Sequence, residues 1–280
     1  TIGNVEDGLN AFLANKCDSI IAVGGGSVID FAKLVAARAT NKKSIEQMKG
    51  LLKVKHKPAF LIAVPTTAGT GSEVTIASVV TNEITHQKYA INDPKLIPLY
   101  AVLDPMFLLS APSNITSTTG MDALTHALEA YIGRSNTNKT KKESLIAIKL
   151  IFDNLYKSYA NPNDIEVKSN MQIASLKAGL AFTRAYVGYV HALAHALGAK
   201  YNISHGLANA ILLPEVLRKY GKHAYKPLSE ISDYLELTKK DLSKKEKAET
   251  LISAIENLNK SMNINNVLKS IIKKDDIPFL

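Results

Sequence analysis

The sequence predicts an α/β unit through about residue 110, followed by an all-helical unit from 111 to 280. Three observations carry this. In the first third, short apolar, β-rich runs alternate with helical periodicity, and two of them end in glycine-rich turns. Beyond Pro112 helical periodicity dominates and no convincing strand appears. The 280 residues are 46% hydrophobic and 21% charged, which is ordinary globular composition with enough chain for two cores.

In chain order, Asn4 to Asn15 reads as an amphipathic helix with Val5, Leu9, Phe12 and Leu13 on its apolar side. Ser19-Ile-Ile-Ala-Val23 has the continuous apolar character of a strand buried on both faces of a parallel sheet. It ends in Gly24-Gly25-Gly26-Ser27, and a helix follows from Val28 to about Thr40. Ala59 to Val64 repeats the buried-strand pattern and runs into Pro65-Thr-Thr-Ala-Gly-Thr-Gly-Ser-Glu73. Val74 to Thr81 and Gln87 to Ile91 alternate in the manner of a hairpin. Tyr100 to Leu103 reads as a short buried strand stopped by Asp104-Pro105. Helices are then expected over Asn114–Gly133, Lys141–Ala160, Ile165–Arg184, Val190–Lys200, Leu207–Tyr220, Tyr225–Leu235 and Lys244–Met262, with a shorter one at the end.

Composition excludes several classes. No apolar run approaches the roughly 18 residues of a membrane-spanning helix, and the opening residues lack the basic head and apolar stretch of a signal peptide. Cys17 is the one cysteine, so neither a disulfide framework nor a thiolate zinc cage can form, and a cytoplasmic protein is expected. Because the chain starts at Thr1, a segment of a longer protein is expected. Net charge is +9, but the excess is lysine interleaved with acids, as around Lys244-Lys245, without nearby arginine or stacking aromatics. Solvated helix faces are expected there, not a nucleic-acid surface.

Two loops and one set of imidazoles carry chemistry. Gly24 to Ser27 joins a strand to a helix, where close backbone approach and free N–H groups suit an anion such as pyrophosphate. It is neither G-x-G-x-x-G nor a Walker loop, and a ligand-free tight turn would look the same. Thr66-Thr67-Ala-Gly-Thr70-Gly-Ser72 places four hydroxyls and two glycines at the end of another strand. Two such loops at one sheet edge favour a nucleotide in the crevice between them. Asp122 and His126 lie one helical turn apart on one face, and His191 and His195 repeat that spacing. His205 follows in Asn202-Ile-Ser-His-Gly206. One carboxylate and several imidazoles on rigid elements suit a divalent transition metal. Spacing alone leaves open an Asp122–His126 ion pair, and it does not choose between His191 and His195. His56, His86 and His223 sit in loop or lysine-rich contexts and read as surface residues.

Five motifs occur in order: Gly24-Gly-Gly-Ser-Val-Ile-Asp-Phe-Ala-Lys33, Pro65 to Glu73, Gly120-Met-Asp-Ala-Leu-Thr-His126, Gly188-Tyr-Val-His-Ala-Leu-Ala-His195 and His205-Gly-Leu-Ala-Asn209. The chain resembles the iron-containing (group III) alcohol dehydrogenase family over essentially its whole length. The resemblance implies a partial Rossmann-like nucleotide-binding domain (1–110) before an all-helical metal-binding domain (111–280). It implies metal-dependent hydride transfer between NAD or NADP and a small alcohol, aldehyde or diol. Asp122, His126, His191 and His205 match the family's metal ligands, for Fe(2+) with Zn(2+) as the alternative. His195 matches a further histidine beside the reacting centre, suited to proton relay. Gly25, Gly26 and Ser27 match the pyrophosphate turn, Thr66, Thr67 and Thr70 the loop near the nicotinamide, and Lys88 a lysine reaching the cofactor ribose. Asp30 is expected to tie the turn to neighbouring backbone, and Lys33 has no assigned role. Phe182, Tyr186 and Tyr189 are candidates for the substrate pocket or for helix packing.

The resemblance also implies a homodimer or larger homo-oligomer, no membrane, and family chains that begin earlier and end later than this one. Ser204 stands where family members usually have proline. A relative of the glycerol dehydrogenase or dehydroquinate synthase kind, or a metal-dependent hydrolase, is the alternative.

Overall fold

Two small sheets lie between Ser19 and Ala101, and among the described residues every strand lies there. The structure, a computed structural model, describes residues 1–239, 241–264, 268–273, 275 and 276. The chain's end at Pro278–Leu280 and its departure from family length lie outside the described residues. Helix α1 (Ile2–Ala14) starts where the Thr1 side chain accepts from the Asn4 amide, and it buries Val5 and Leu9. Strand β1 (Ser19–Gly24), helix α2 (Gly26–Thr40), the short α3 (Ile45–Met48) and β2 (Gly50–Leu51) follow, then β3 (Phe60–Pro65). Strands β4 (Ala77–Thr81) and β5 (Lys88–Asn92) form the expected antiparallel pair, and β6 (Tyr100–Ala101) completes the set. One sheet has the order β1-β3-β6, all parallel, with Ser19 opposite Phe60 and Ile62 opposite Tyr100. The other has the order β2-β5-β4.

The expectation that β1 and β6 are buried on both faces is corrected. Helix α2 covers one side of the parallel sheet, packing Ile29 and Ala32 against Ala22, Leu61 and Ala63. On the other side Ile21, Val23 and Tyr100 are 65%, 50% and 58% exposed. A continuous apolar run therefore marks a strand with two apolar faces, of which this chain covers only one.

The second part is helical throughout its described residues: α4 (Ser113–Ile132), α5 (Asn138–Ala160), α6 (Ile165–Ala185), α7 (Tyr189–Tyr201), α8 (His205–Tyr220), α9 (Tyr225–Tyr234), α10 (Lys244–Ser261) and α11 (Leu268–Ile271). Helix α4 is its axis. Every residue from Gly120 to Tyr131 is buried, because α5, α6 and α8 pack around it. A helix enclosed on all sides has no solvated face on which to place polar residues. Asp122, His126 and Glu129 are therefore polar groups inside a core of Leu124, Leu128, Ile148 and Ile151. Such groups persist only when paired or put to use.

Candidate metal centre and cofactor cleft

Three helices bring the predicted metal residues together. Asp122 and His126 project from α4, His191 and His195 from α7, and His205 opens α8. His205 was expected in an irregular polar stretch. It is instead the first residue of a helix, because Ser204 adopts the extended conformation of a cap. Asp122 Oδ1 lies 3.5 Å from His191 Nε2 and 3.5 Å from His205 Nε2, and these three residues offer donor atoms all within 4.8 Å of one another. Donors held about 2.1 Å from one tetrahedral ion stand roughly 3.4 Å apart, so the spacing fits a single cation. His126 stacks beside this trio, its ring centroid 4.3 Å from that of His191 and 4.0 Å from that of Phe182. His195 is one turn outward, with its ring 4.7 Å from that of His205. His56, His86 and His223 are exposed, as expected.

The electrostatics agree with a cation site. Burial alone would raise the Asp122 carboxyl, but His126, His205 and His191 hold it well below the usual carboxylate range. Burial pushes His126 down to about 3 and His195 down to about 4. For His191, burial is outweighed by contacts to Asp122 and Glu129, which raise it to about 9. His191 Nε2 is buried and makes no hydrogen bond. A buried imidazole nitrogen without a partner, aimed at a carboxylate and a second imidazole, fits a metal ligand.

Two further polar groups, neither given a role by the sequence, reach these residues. Glu129 Oε2 lies 2.6 Å from His191 Nδ1. Asn209, fully buried, donates from Nδ2 to Asp122 Oδ1 at 2.6 Å and lies 3.1 Å from His205 Nε2. Asn209 stands four residues after His205 on the same helix face, a spacing visible in the sequence, whereas Glu129, seven residues after Asp122, becomes informative only because α4 is enclosed.

Four of the cofactor candidates, Gly26, Ser27, Thr70 and Lys88, line the same cavity as the metal residues. The Gly24–Ser27 turn and the Thr66–Ser72 loop meet at the ends of β1 and β3, where the Thr66 amide donates to Gly24 O. A Cβ on Gly26 would stand 2.7 Å from Thr70 Cγ2, so only glycine permits this approach. Asp30 ties the turn down as expected: its carboxylate accepts from Ser72 Oγ at 2.6 Å and from the Val79 amide at 2.9 Å. Lys33 gains a structural role, donating from a fully buried Nζ to Thr75 O and Ala77 O at 2.9 and 2.8 Å. A single cavity of about 700 Å³ runs from Ser27, Thr70 and Lys88 to Asp122, His191 and His205. Gly26, His126 and His195 also line it; Gly25, Thr66 and Thr67 do not. Phe182 and Tyr186 border the cavity. Tyr189 does not; it is exposed and packs on Tyr220 instead.

Known proteins resemble this chain in sequence and fold. The C-terminal part of the Fe-containing alcohol dehydrogenase family matches residues 116–280, and the iron-containing alcohol dehydrogenase profile matches residues 1–105. The chain belongs to the iron-containing alcohol dehydrogenase family. A 1,3-propanediol dehydrogenase from Citrobacter freundii is 38% identical over 278 residues, covering 99% of this chain and 72% of the relative. An NAD-dependent methanol dehydrogenase from Bacillus methanolicus is 34% identical over 277 residues, covering 99% of this chain and 73% of the relative. The solved structure of an alcohol dehydrogenase from Oenococcus oeni superposes with a TM-score of 0.97 at 35% identity, covering 100% of this chain and 73% of that one. As a member of this iron-containing alcohol dehydrogenase family, the chain is an oxidoreductase that exchanges hydride between a nicotinamide cofactor and an alcohol or aldehyde. This favours that reading over the glycerol-dehydrogenase-like, dehydroquinate-synthase-like and hydrolase alternatives. Among the described residues, no helix is long and apolar enough to cross a membrane.

Proposed function

We propose that Asp122, His191 and His205, with His126 beside them as fourth ligand, hold Fe(2+), or Zn(2+) in its place, across the cleft from the nicotinamide. The observation that carries this reading is the shared 3.5 Å spacing around Asp122 Oδ1 inside the cavity that also contains Ser27 and Thr70. Bound there, the metal supplies Lewis acidity toward the substrate oxygen, and the nicotinamide supplies or takes the hydride. The chain supplies position. Gly25, Gly26 and Ser27 present backbone amides and a hydroxyl to the pyrophosphate. Thr66, Thr67 and Thr70 fix the loop beside the nicotinamide, and Lys88 reaches the ribose. His195, which lines the cavity beside His205, takes the alcohol proton and passes it to solvent. Phe182 and Tyr186 narrow the cavity toward short alcohols, aldehydes and diols, in keeping with the substrates named for the propanediol and methanol relatives.

The family parts at 116–280 and 1–105 support a division into a nucleotide-binding unit (1–110) and a metal-binding unit (111–280). We place the protein in the cytoplasm as a homodimer or larger homo-oligomer. The lone, exposed Cys17 suits a reducing compartment, and the family resemblance supports the assembly. The test is a preparation loaded with iron or zinc, assayed with NADH and NADPH against a panel of short aldehydes. Turnover that requires metal and disappears in the His205→Ala variant supports the reading; turnover indifferent to both refutes it. Sedimentation of the same preparation reads the assembly state.

A further inference from the structure

We propose that Glu129 is a positioning residue of the metal centre: one buried carboxylate that caps helix α7 from outside and sets the His191 ring with Nε2 toward Asp122 and His205. The inference rests on the metal reading above. Helix α7 starts after Gly188, which has no side chain with which to cap it. The first amides of any helix lack internal partners. Here Glu129 Oε2 accepts from the Gly188 amide and Oε1 from the Val190 amide, both at 2.8 Å, while Tyr220 Oη takes the Tyr189 amide at 3.4 Å. The same Oε2 lies 2.6 Å from His191 Nδ1. A carboxylate already accepting two amide N–H groups is an acceptor in the third contact as well, so the shared proton sits on Nδ1. That leaves Nε2 as the nitrogen facing the other donors.

The fit is close. Glu129 is 4% exposed, and any Cβ at position 188 would stand 2.7 Å from its Oε1. An ordinary cap would be a serine or aspartate at position 188 itself. Borrowing the cap from α4, the helix that also carries Asp122 and His126, makes the docking of α7 and the aim of its first histidine one event.

The test uses Zn(2+) alone, titrated into the metal-free chain against a chromophoric chelator. Wild type, Glu129→Gln, Gly188→Ala and His205→Ala are compared, with circular dichroism and thermal melting of each. The expected result is folded Glu129→Gln and Gly188→Ala proteins whose zinc affinity is about 10- to 100-fold weaker, measured well below their melting temperatures. A purely structural Glu129 would lower the melting temperature and leave the affinity of the folded protein within twofold of wild type; that outcome overturns the proposal. Should Glu129→Gln not fold, Gly188→Ala decides alone by the same criterion. A wild-type chain that binds zinc no better than His205→Ala would overturn the metal reading itself, and this inference with it.

Discussion

Tyr186 holds φ 65° and ψ −177° at the end of α6, a backbone region open to little but glycine. Its amide donates to Phe182 O at 2.7 Å while the residue lines the metal cavity, so the chain holds a strained tyrosine at the substrate's side of the site. Tyr186→Gly should stabilise the protein by about 1 kcal/mol, the relieved strain exceeding the extra chain entropy of glycine. It should also weaken the preference for short over longer aldehydes. Thermal melting and kcat/KM across chain lengths read the two effects, and an unchanged melting temperature would refute the strain. Asp122 makes the opposite case. It is confined by three imidazoles and the Asn209 amide, and Asn209→Leu would free it to turn away. Zinc affinity should fall about tenfold, as for other outer partners of a metal ligand, read by the same chelator competition.

Between elements, a buried lysine and a half-buried aspartate lock α2 to the loops that build the cleft. Lys33→Met would leave the Thr75 and Ala77 carbonyls without their donor, at a cost of about 1–3 kcal/mol. The urea midpoint should drop with an unchanged slope; an unchanged midpoint would show that the strut does nothing for stability. Periodicity made most helix bounds legible to within a few residues, and the β4–β5 pair was legible from alternation. Periodicity also brought Asp122 and His126 to one face, and His191 and His195 to another. It could not show that β1 has only one covered face, because an apolar run reads alike whether or not a neighbour arrives. Nor could it mark Glu129, since a lone glutamate on a helix most often faces water; only the enclosure of α4 makes it informative. The close stacking of His126 on Phe182 and His191 depends on packing between α4, α6 and α7, which lies outside local spacing.

For the molecule as a whole, the histidines set a pH window. In the metal-free chain burial depresses His126 to about 3 and His195 to about 4, against 6.5 when unfolded. The unfolded chain therefore binds protons first, so their contribution is full above pH 6.5 and is lost as pH falls toward 4 and 3. His191, raised to about 9, acts in the opposite sense: its contribution is full below 6.5 and is lost as pH rises through 9. These groups place the melting maximum of the metal-free chain near pH 6.5, and a melting temperature that climbs steadily from pH 5 to 9 would contradict them. The open side of the parallel sheet, with Ile21 and Val23, should bind a hydrophobic fluorescent dye, and Ile21→Thr with Val23→Thr should cut that signal. Finally, His191 lies in the first turn of α7 and His205 opens α8 directly after the Asn202–Ser204 connector, while Asp122 sits in the enclosed α4. An ion gripped by all three stitches the two outer helices to the middle of the protein. If that ion is held as proposed, its removal should expose the His205 end of the connector to proteases, read as faster limited proteolysis of the chelated than of the zinc-loaded protein.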